Sequence, residues 1–439
     1  MNKKSTDLTT GNPRTVLWQF CLPLFASVVF QQFYNIADSF VAGKFIGENA
    51  LAAVGNSYEI TLIFIAFATG CNMACSVLAS QLFGAKNYGG MKTAIYTVMI
   101  SVAVLCGVMM LFGIVSANGI LQFMSTPEAI YADSLLYMDI YIWGVPFLFF
   151  YNLSTGIFSA MGDSKTPFVF LAISSVTNIG LNLFFVAVLD MGVAGVAWAT
   201  FLCQGLSCFL GMGTVLLRLK SFPKVNTYFD FAHFKKFTQL AVPSILQQSS
   251  ISIGTIIIQS GINDCGVAVT AGYAAGIKLQ NMVISAFTTL GNGISNFTAQ
   301  NIGAGKLERI KDGHKAGIQM VWTICVPVVL LYLFGAKTII AFFIDQPTEL
   351  ALNAGAYFLY ICAPFYFLIS VKLATDGVLR GAGMMKEFVI ATTLDLILRV
   401  VLVKILVVPF GYLGIWAAWP IGWVLGTSLS LWYYKRAVA

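Results

Sequence analysis

Apolar residues run along this chain in long blocks, separated by short polar stretches that often carry glycine, proline or lysine. Twelve blocks are long enough to cross a bilayer: 14–40, 50–81, 91–117, 128–160, 166–189, 192–217, 236–261, 268–300, 313–338, 348–380, 386–408 and 412–435. Several exceed the minimum, so tilting or projection beyond the lipid is expected. The pattern predicts an all-α integral membrane protein with twelve transmembrane helices. Met1 to Asn12 is polar, and Pro13-Arg14 leads directly into the first block, a pattern unlike a cleavable signal peptide.

The basic residues orient these spans. Of 25 Lys and Arg, nineteen fall on one set of loops and helix ends, two (Lys44 and Lys337) on the opposite set, and four (Lys278, Lys372, Arg399 and Lys404) inside spans. Such asymmetry marks the cytoplasmic side, so both termini are expected there, in the plasma membrane. It also accounts for the net charge of +7 without a nucleic-acid site. Composition agrees: 58% of residues are hydrophobic and only 10% charged, and mean hydropathy is +0.82. A soluble protein of this length needs more charge to cover its surface. Eight of the nine cysteines lie in apolar segments, Cys265 in an outer loop, and no CxxC occurs, which argues against a metal or disulfide framework.

A shift of roughly 220 residues superimposes one half on the other. Pro23 falls on Pro243, Gln81-x-x-Gly84-Ala85 on Gln300-x-x-Gly303-Ala304, Pro146-Phe147 on Pro364-Phe365, Gly156 and Gly162 on Gly377 and Gly383, and Gly192-x-x-Gly195 on Gly411-x-x-Gly414. An even number of helices per half gives parallel repeats. The expected organisation is a tail (1–13), an N-lobe (14–217), a basic linker (218–235) and a C-lobe (236–435). Duplication without mechanical meaning is the alternative.

No GxxxxGK[ST] motif occurs, so no ATP machinery is expected, and uphill transport would draw on an ion gradient. Acids within the membrane are then the first candidates. Asp38 leads them, in the outer part of the first span beside Tyr34 and Asn35. A desolvated carboxylate can alternate between proton and cation occupancy. A plain interfacial position is the competing reading. The aligned position in the second half, near Ile258, is uncharged, which favours a specific role.

Asn178 and Asn182 share a helix face one turn apart, with Tyr137 and Thr200 on other spans of the same lobe. Hydrogen bonding between helices is their alternative role. The second lobe carries Lys278 and two i,i+4 pairs, Lys372 with Asp376 and Asp395 with Arg399. Structural ion pairs are the first reading of this charge network; a second coupling or substrate site is the sharper one. His233 and His314 fall in the connections, without metal-ligand spacing. Gly291-Asn292-Gly293 reads as helix packing.

These motifs together resemble the MATE family, the multidrug and toxic compound extrusion transporters, over roughly 14 to 435. The resemblance rests on Pro23, Tyr34-Asn35-Ile36-Ala37-Asp38-Ser39 with Gly43 and Gly47, Leu51-Ala52-Ala53-Val54-Gly55, the duplicated Gln-x-x-Gly-Ala turns, Asn178-x-x-x-Asn182 and Gly192-x-x-Gly195. It implies a V-shaped pair of six-helix lobes and export of amphipathic, often cationic compounds in exchange for H⁺ or Na⁺. The DinF-like branch is most similar. It implies that Asp38 carries coupling, and that Tyr137, Asn178, Asn182 and Thr200 line a first-lobe pocket. The chain departs from some DinF-like members in having Asn182 in place of an acid. It departs from the NorM-like branch in having Gln247 and Gln248, but no acid, in its seventh span. Expected partners are small organic substrates and the bilayer. No cofactor, no metal beyond a sodium ion at Asp38, no ATP and no nucleic acid are expected, and a monomer is. Rival readings are a flippase of an anionic lipid-linked saccharide or other organic anion, and an integral membrane enzyme.

Overall fold

A computed structural model describes the backbone of residues 6–438 except 125 and 345–347, and side chains other than those of 33–44, 48, 51, 59, 252, 253, 256, 260, 437 and 438. The described residues form helices and short connections, with no strand among them. The helices are α1 (Pro13–Phe45), α2 (Glu48–Gly84), α3 (Tyr88–Phe123), α4 (Glu128–Ala160), α5 (Lys165–Asn182), α6 (Gly192–Lys220), α7 (Phe231–Asn263), α8 (Val267–Gly303), α9 (Glu308–Phe343), α10 (Glu349–Cys362), α11 (Tyr366–Gly381), α12 (Met385–Phe410) and α13 (Tyr412–Val438). A π-helical turn, Leu183–Val188, prolongs α5, and a 3₁₀ turn, Ala363–Phe365, joins α10 to α11. Each of the twelve predicted spans therefore coincides with one helix or, for 348–380, with the α10–α11 pair. By length and composition alone, eight segments among the described residues are apolar enough to cross a membrane.

Helix is the expected answer in lipid, because a helical segment satisfies its backbone polar groups internally. The starts are capped from the sequence: Asn87 accepts from Gly90 N and Thr348 from Ala351 N. Pro364 sits at the break between α10 and α11, where a missing N–H and ring crowding favour a tighter turn. Its repeat partner Pro146 lies inside the unbroken α4.

Two compact units emerge. One comprises Met1–Asp7 and Leu22–Ile245, the other Leu8–Cys21 and Leu246–Ala439. Helices α1 and α7 are thus each divided between units. In the first unit α4 is central and packs on α2, α3 and α6. In the second, α8 packs on α9, α10 and α11, while α13 packs on α10, α11 and α12.

The duplication recurs as local geometry. Lys86 N and Asn87 N bond to Phe83 O and Leu82 O; Gly305 N and Lys306 N bond in the same pattern to Ile302 O and Asn301 O. Gly162 and Gly383 share left-handed φ angles of 72° and 77°, and Gly192 and Gly411 share 56° and 58°, conformations that favour glycine. Small residues also let helices approach in both units. A Cβ on Gly156 would stand 2.9 Å from Asn72 O, and one on Gly377 would stand 2.3 Å from Gly291 O. Gly291 therefore serves helix packing.

Residues before α1 are held in the second unit. Leu8 is fully buried, and its carbonyl accepts from Asn301 Nδ2 at 3.1 Å. Lys306 Nζ donates to Thr9 O at 2.7 Å and Arg309 NH1 to Gly11 O at 2.8 Å.

Candidate functional site

In the first unit, Asn178 and Asn182 face inward one turn apart on α5, each 1% exposed. Asn182 Nδ2 donates to Asn178 Oδ1 at 2.7 Å, while Asn178 Nδ2 is buried with no protein partner. Immediately after Asn182 the helix widens into its π turn, a local irregularity frequent at functional sites. Tyr137 is buried on α4, its ring nearly parallel to that of Tyr141 with centroids 6.3 Å apart. Thr200 is half-buried on α6. One turn further, Gln204 hydrogen-bonds through its side chain to Tyr141, as does Thr61 from α2. The sequence reading passed over Tyr141, Gln204 and Thr61. The i,i+4 spacings from Tyr137 to Tyr141 and from Thr200 to Gln204 were the available signal. Tyr34, Asn35 and Asp38 lie in α1, and their side chains are outside the described residues. Helix α1 is nevertheless tied to α5 below that level, by the edge-to-face contact of Phe30 with Phe168 at 6.3 Å.

The second unit holds the buried charges. Lys372 Nζ meets Asp376 Oδ2 at 2.6 Å, with both side chains buried. Ser430 Oγ from α13 donates to the other carboxylate oxygen at 2.6 Å, and Thr392 of α12 accepts from Lys372 at 3.3 Å. Arg380 lies over Phe388 and reaches Asp376 O. On α12, Arg399 NH2 stands 3.4 Å from Asp395 Oδ2, and its guanidinium lies 4.4 Å from the Trp419 ring centroid. Both i,i+4 spacings thus close, the second loosely. Lys278 does not join them: it sits on the exposed face of α8, two residues before buried Gln280 and so on the other side of the helix. His314 departs from its expected place in a connection. It lies within α9, buried, bonded to Thr375 Oγ1 at 2.9 Å and packed against Tyr434. His233 belongs to the first turn of α7, beside Asp230. No group of metal-ligating side chains occurs among the described residues.

The arrangement is that of a membrane protein with two buried polar centres, one mainly of amides and hydroxyls, the other of paired charges. The chain is similar to known proteins along its length. The MatE family profile matches residues 23–184 and again 243–405, one match per half. The chain is 29% identical over 423 residues to the probable multidrug resistance protein YpnP of Bacillus subtilis, covering 95% of this chain and 91% of the relative. It is 28% identical over 436 residues to the probable multidrug resistance protein YoeA of the same organism, covering 95% and 92%. Among solved structures, a multidrug resistance MATE family transporter of the MOP superfamily in an outward-facing conformation superimposes with a TM-score of 0.92 at 20% identity, covering 100% of this chain and 98% of that one. A MOP superfamily transporter from Pyrococcus furiosus, for which a reversed polarity of the binding pocket is described, gives 0.91 at 20% identity with the same coverage. The whole-length superpositions agree with the twelve-helix fold expected from the sequence. With both halves matched, the chain belongs to the MatE family.

Proposed function

We propose that this chain is a secondary active multidrug efflux antiporter of the plasma membrane, exporting amphipathic, mainly cationic organic compounds in exchange for H⁺ or Na⁺. The observation that carries the reading is the doubled MatE match along a chain whose near full-length relatives are named multidrug resistance proteins. The charge asymmetry of the loops supports cytoplasmic termini. The lobes 14–217 and 236–435 are taken as the moving parts, as parallel repeats are in other transporters. The chain works as a monomer, without ATP.

Asp38 is the coupling carboxylate in this reading. Helices α1 and α5 are both odd-numbered spans and run the same way through the bilayer. From the Phe30–Phe168 contact, Asp38 is eight residues onward and Asn178 ten, or about 12 and 15 Å at 1.5 Å per residue. The two residues thus reach similar depth. Ion binding at Asp38 and its amide and hydroxyl neighbours competes with cargo in the first lobe, whose aromatic walls tolerate many shapes. Exchange of one H⁺ for one monovalent cation moves no net charge. Its driving force is then the concentration gradient alone, about 1.4 kcal/mol per tenfold ratio.

The test is dye efflux from energised vesicles with Asp38→Asn, under separate H⁺ and Na⁺ gradients. Gradient-driven efflux is expected to be lost. Full efflux by the variant removes Asp38 from the mechanism.

A further inference from the structure

The two acids of the second unit have different surroundings. Asp376 is saturated: Lys372 fills one oxygen and Ser430 the other, both at 2.6 Å. Asp395 is 3% exposed, yet its Oδ1 is buried with no protein partner, and its Oδ2 has only the 3.4 Å approach of Arg399. Arg399 is likewise half-used, its Nε buried and unbonded. Around them stand further orphans. The ring N–H groups of Trp416 and Trp419 and the hydroxyl of Tyr273 are all buried without protein partners.

These groups form one connected cluster. Arg399 lies on Trp419, Trp419 and Trp416 both touch Phe358, and Trp416 stacks on Tyr273 at 5.0 Å. A buried polar group left without a partner is costly, so five such atoms in one apolar core demand a function or a ligand. The sequence also keeps space for Asp395. A Cβ on Gly422 of α13 would stand 2.5 Å from Asp395 Oδ1.

The charges facing Asp395 are few. Its own helix offers Arg399. From α11, Lys372 lies alongside: its Cε and the Asp395 Cβ would stand 2.7 and 3.0 Å from a Cβ on Gly426, and its ammonium is held by Asp376. The facing part of α13 carries Trp419, Gly422 and Gly426, none of them charged. Helix α7, which meets α12 where Gly254 faces Leu396, has no titratable residue from Thr238 to Asn263. From α8 the titratable group is Tyr273, and from α10 it is the buried Cys362, near both Arg399 and Tyr273.

We propose that Asp395 is a second proton-exchanging carboxylate, whose ligand is a proton delivered through bound water bridging the Arg399, Tyr273, Trp416 and Trp419 donors. The proton bonds to Oδ1, and the carboxylate becomes a neutral acid whose O–H donates where an acceptor was orphaned. The carboxylate takes the proton from hydronium, leaving water, and on release returns it to water as hydronium. It loosens the Arg399 contact and leaves the Lys372–Asp376 pair intact. Polar, partner-poor sites of this kind hold water in protein interiors. The proposal rests on the antiport reading for its purpose, but not for its test.

The full chain in lipid nanodiscs is titrated with H⁺, at constant Na⁺ and again without it. Infrared difference spectra follow the carboxylic C=O stretch, and intrinsic fluorescence reports on the neighbouring tryptophans. Asp38→Asn is expected to retain a carboxylic band together with a tryptophan change. Asp38→Asn/Asp395→Asn is expected to lose the tryptophan change and one component of the band, while the sixteen other Asp and Glu keep theirs. Asp395→Glu in the Asp38→Asn background, which keeps the charge, is expected to keep the band at a shifted position. The proposal is overturned if adding Asp395→Asn to Asp38→Asn removes no component of the carboxylic band, if Asp395→Glu shifts none, or if only Na⁺ elicits the tryptophan change. Unimpaired efflux by Asp38→Asn with the Asp395 band present sinks the Asp38 assignment alone.

Discussion

Lys372 and Asp376, one turn apart on α11, meet at 2.6 Å with 3% and 2% of their side chains exposed. Each ion has been taken out of water, and each depends on the other for compensation. Removing the lysine alone, as in Lys372→Met, leaves Asp376 with Ser430 as its main partner and is expected to cost about 3–5 kcal/mol. Lys372→Met/Asp376→Leu is expected to recover most of that loss. Thermal unfolding in detergent measures both. A double variant no more stable than the single one contradicts the pairing argument.

The amide pair on α5 responds differently. Asn178→Leu leaves the Asn182 amide without its 2.7 Å acceptor, at a cost of about 1–3 kcal/mol. Asn178→Leu/Asn182→Leu removes both polar groups, and is expected to be closer to wild type in melting temperature while losing the ion dependence of dye efflux. Retained ion dependence in the double variant would assign the pair to helix packing alone.

Glycine substitutions separate contact from open space. A Cβ on Gly381 would stand 2.3 Å from Ser295 O and 3.1 Å from Ala299 N, both backbone atoms. Gly381→Ala is expected to destabilise by about 1–3 kcal/mol through overpacking. Gly89, in the first turn of α3, has nothing within 4 Å of such a Cβ. Gly89→Ala is expected to be neutral or to stabilise by about 0.4–1 kcal/mol. Equal melting temperatures for the two variants would refute the packing assignment.

The start of α7 carries a pH-dependent cap outside the membrane. Asp230 Oδ2 accepts from the His233 backbone N at 2.9 Å and lies 2.5 Å from its ring Nδ1. These bonds, with a smaller charge contribution from His233, hold the Asp230 carboxyl below its ordinary value of 3.8. A depressed carboxyl stabilises the fold above its unfolded pKa, and the contribution fades as pH falls through the lower folded one. Hydrogen exchange at His233 and Phe234 is therefore expected to stay slow until the medium is more acidic than the ordinary carboxylate range. Asp230→Ala is expected to speed it at neutral pH, and Asp230→Asn to preserve much of the cap.

The helices were readable because lipid imposes a length and a composition on every span, and the duplication was readable because turns need glycine at fixed places. Gly162 with Gly383 and Gly192 with Gly411 could be aligned by eye and adopt matching backbone angles. The polar centres were only partly readable. The i,i+4 rule found Lys372–Asp376 and Asn178–Asn182, since both partners lie on one helix. It could point to Tyr141 and Gln204 as inward positions, but it could not pair Ser430 with Asp376, or Gln204 and Thr61 with Tyr141, because those partners come from other helices. Lys278 misled for a related reason: a charge inside a span can occupy either face, and composition does not say which.

The bonds that fasten Leu8 to Asn301 join residues 293 positions apart in the sequence. During synthesis the segment around Leu8 is made before α1, and its seat at Asn301, Lys306 and Arg309 does not exist until α8 and the start of α9 have been made. These residues therefore wait, unsatisfied, while eight helices, α1 to α8, are made. The docking of this segment is a late event in biogenesis, and a substitution at Leu8 would be felt at that stage of assembly.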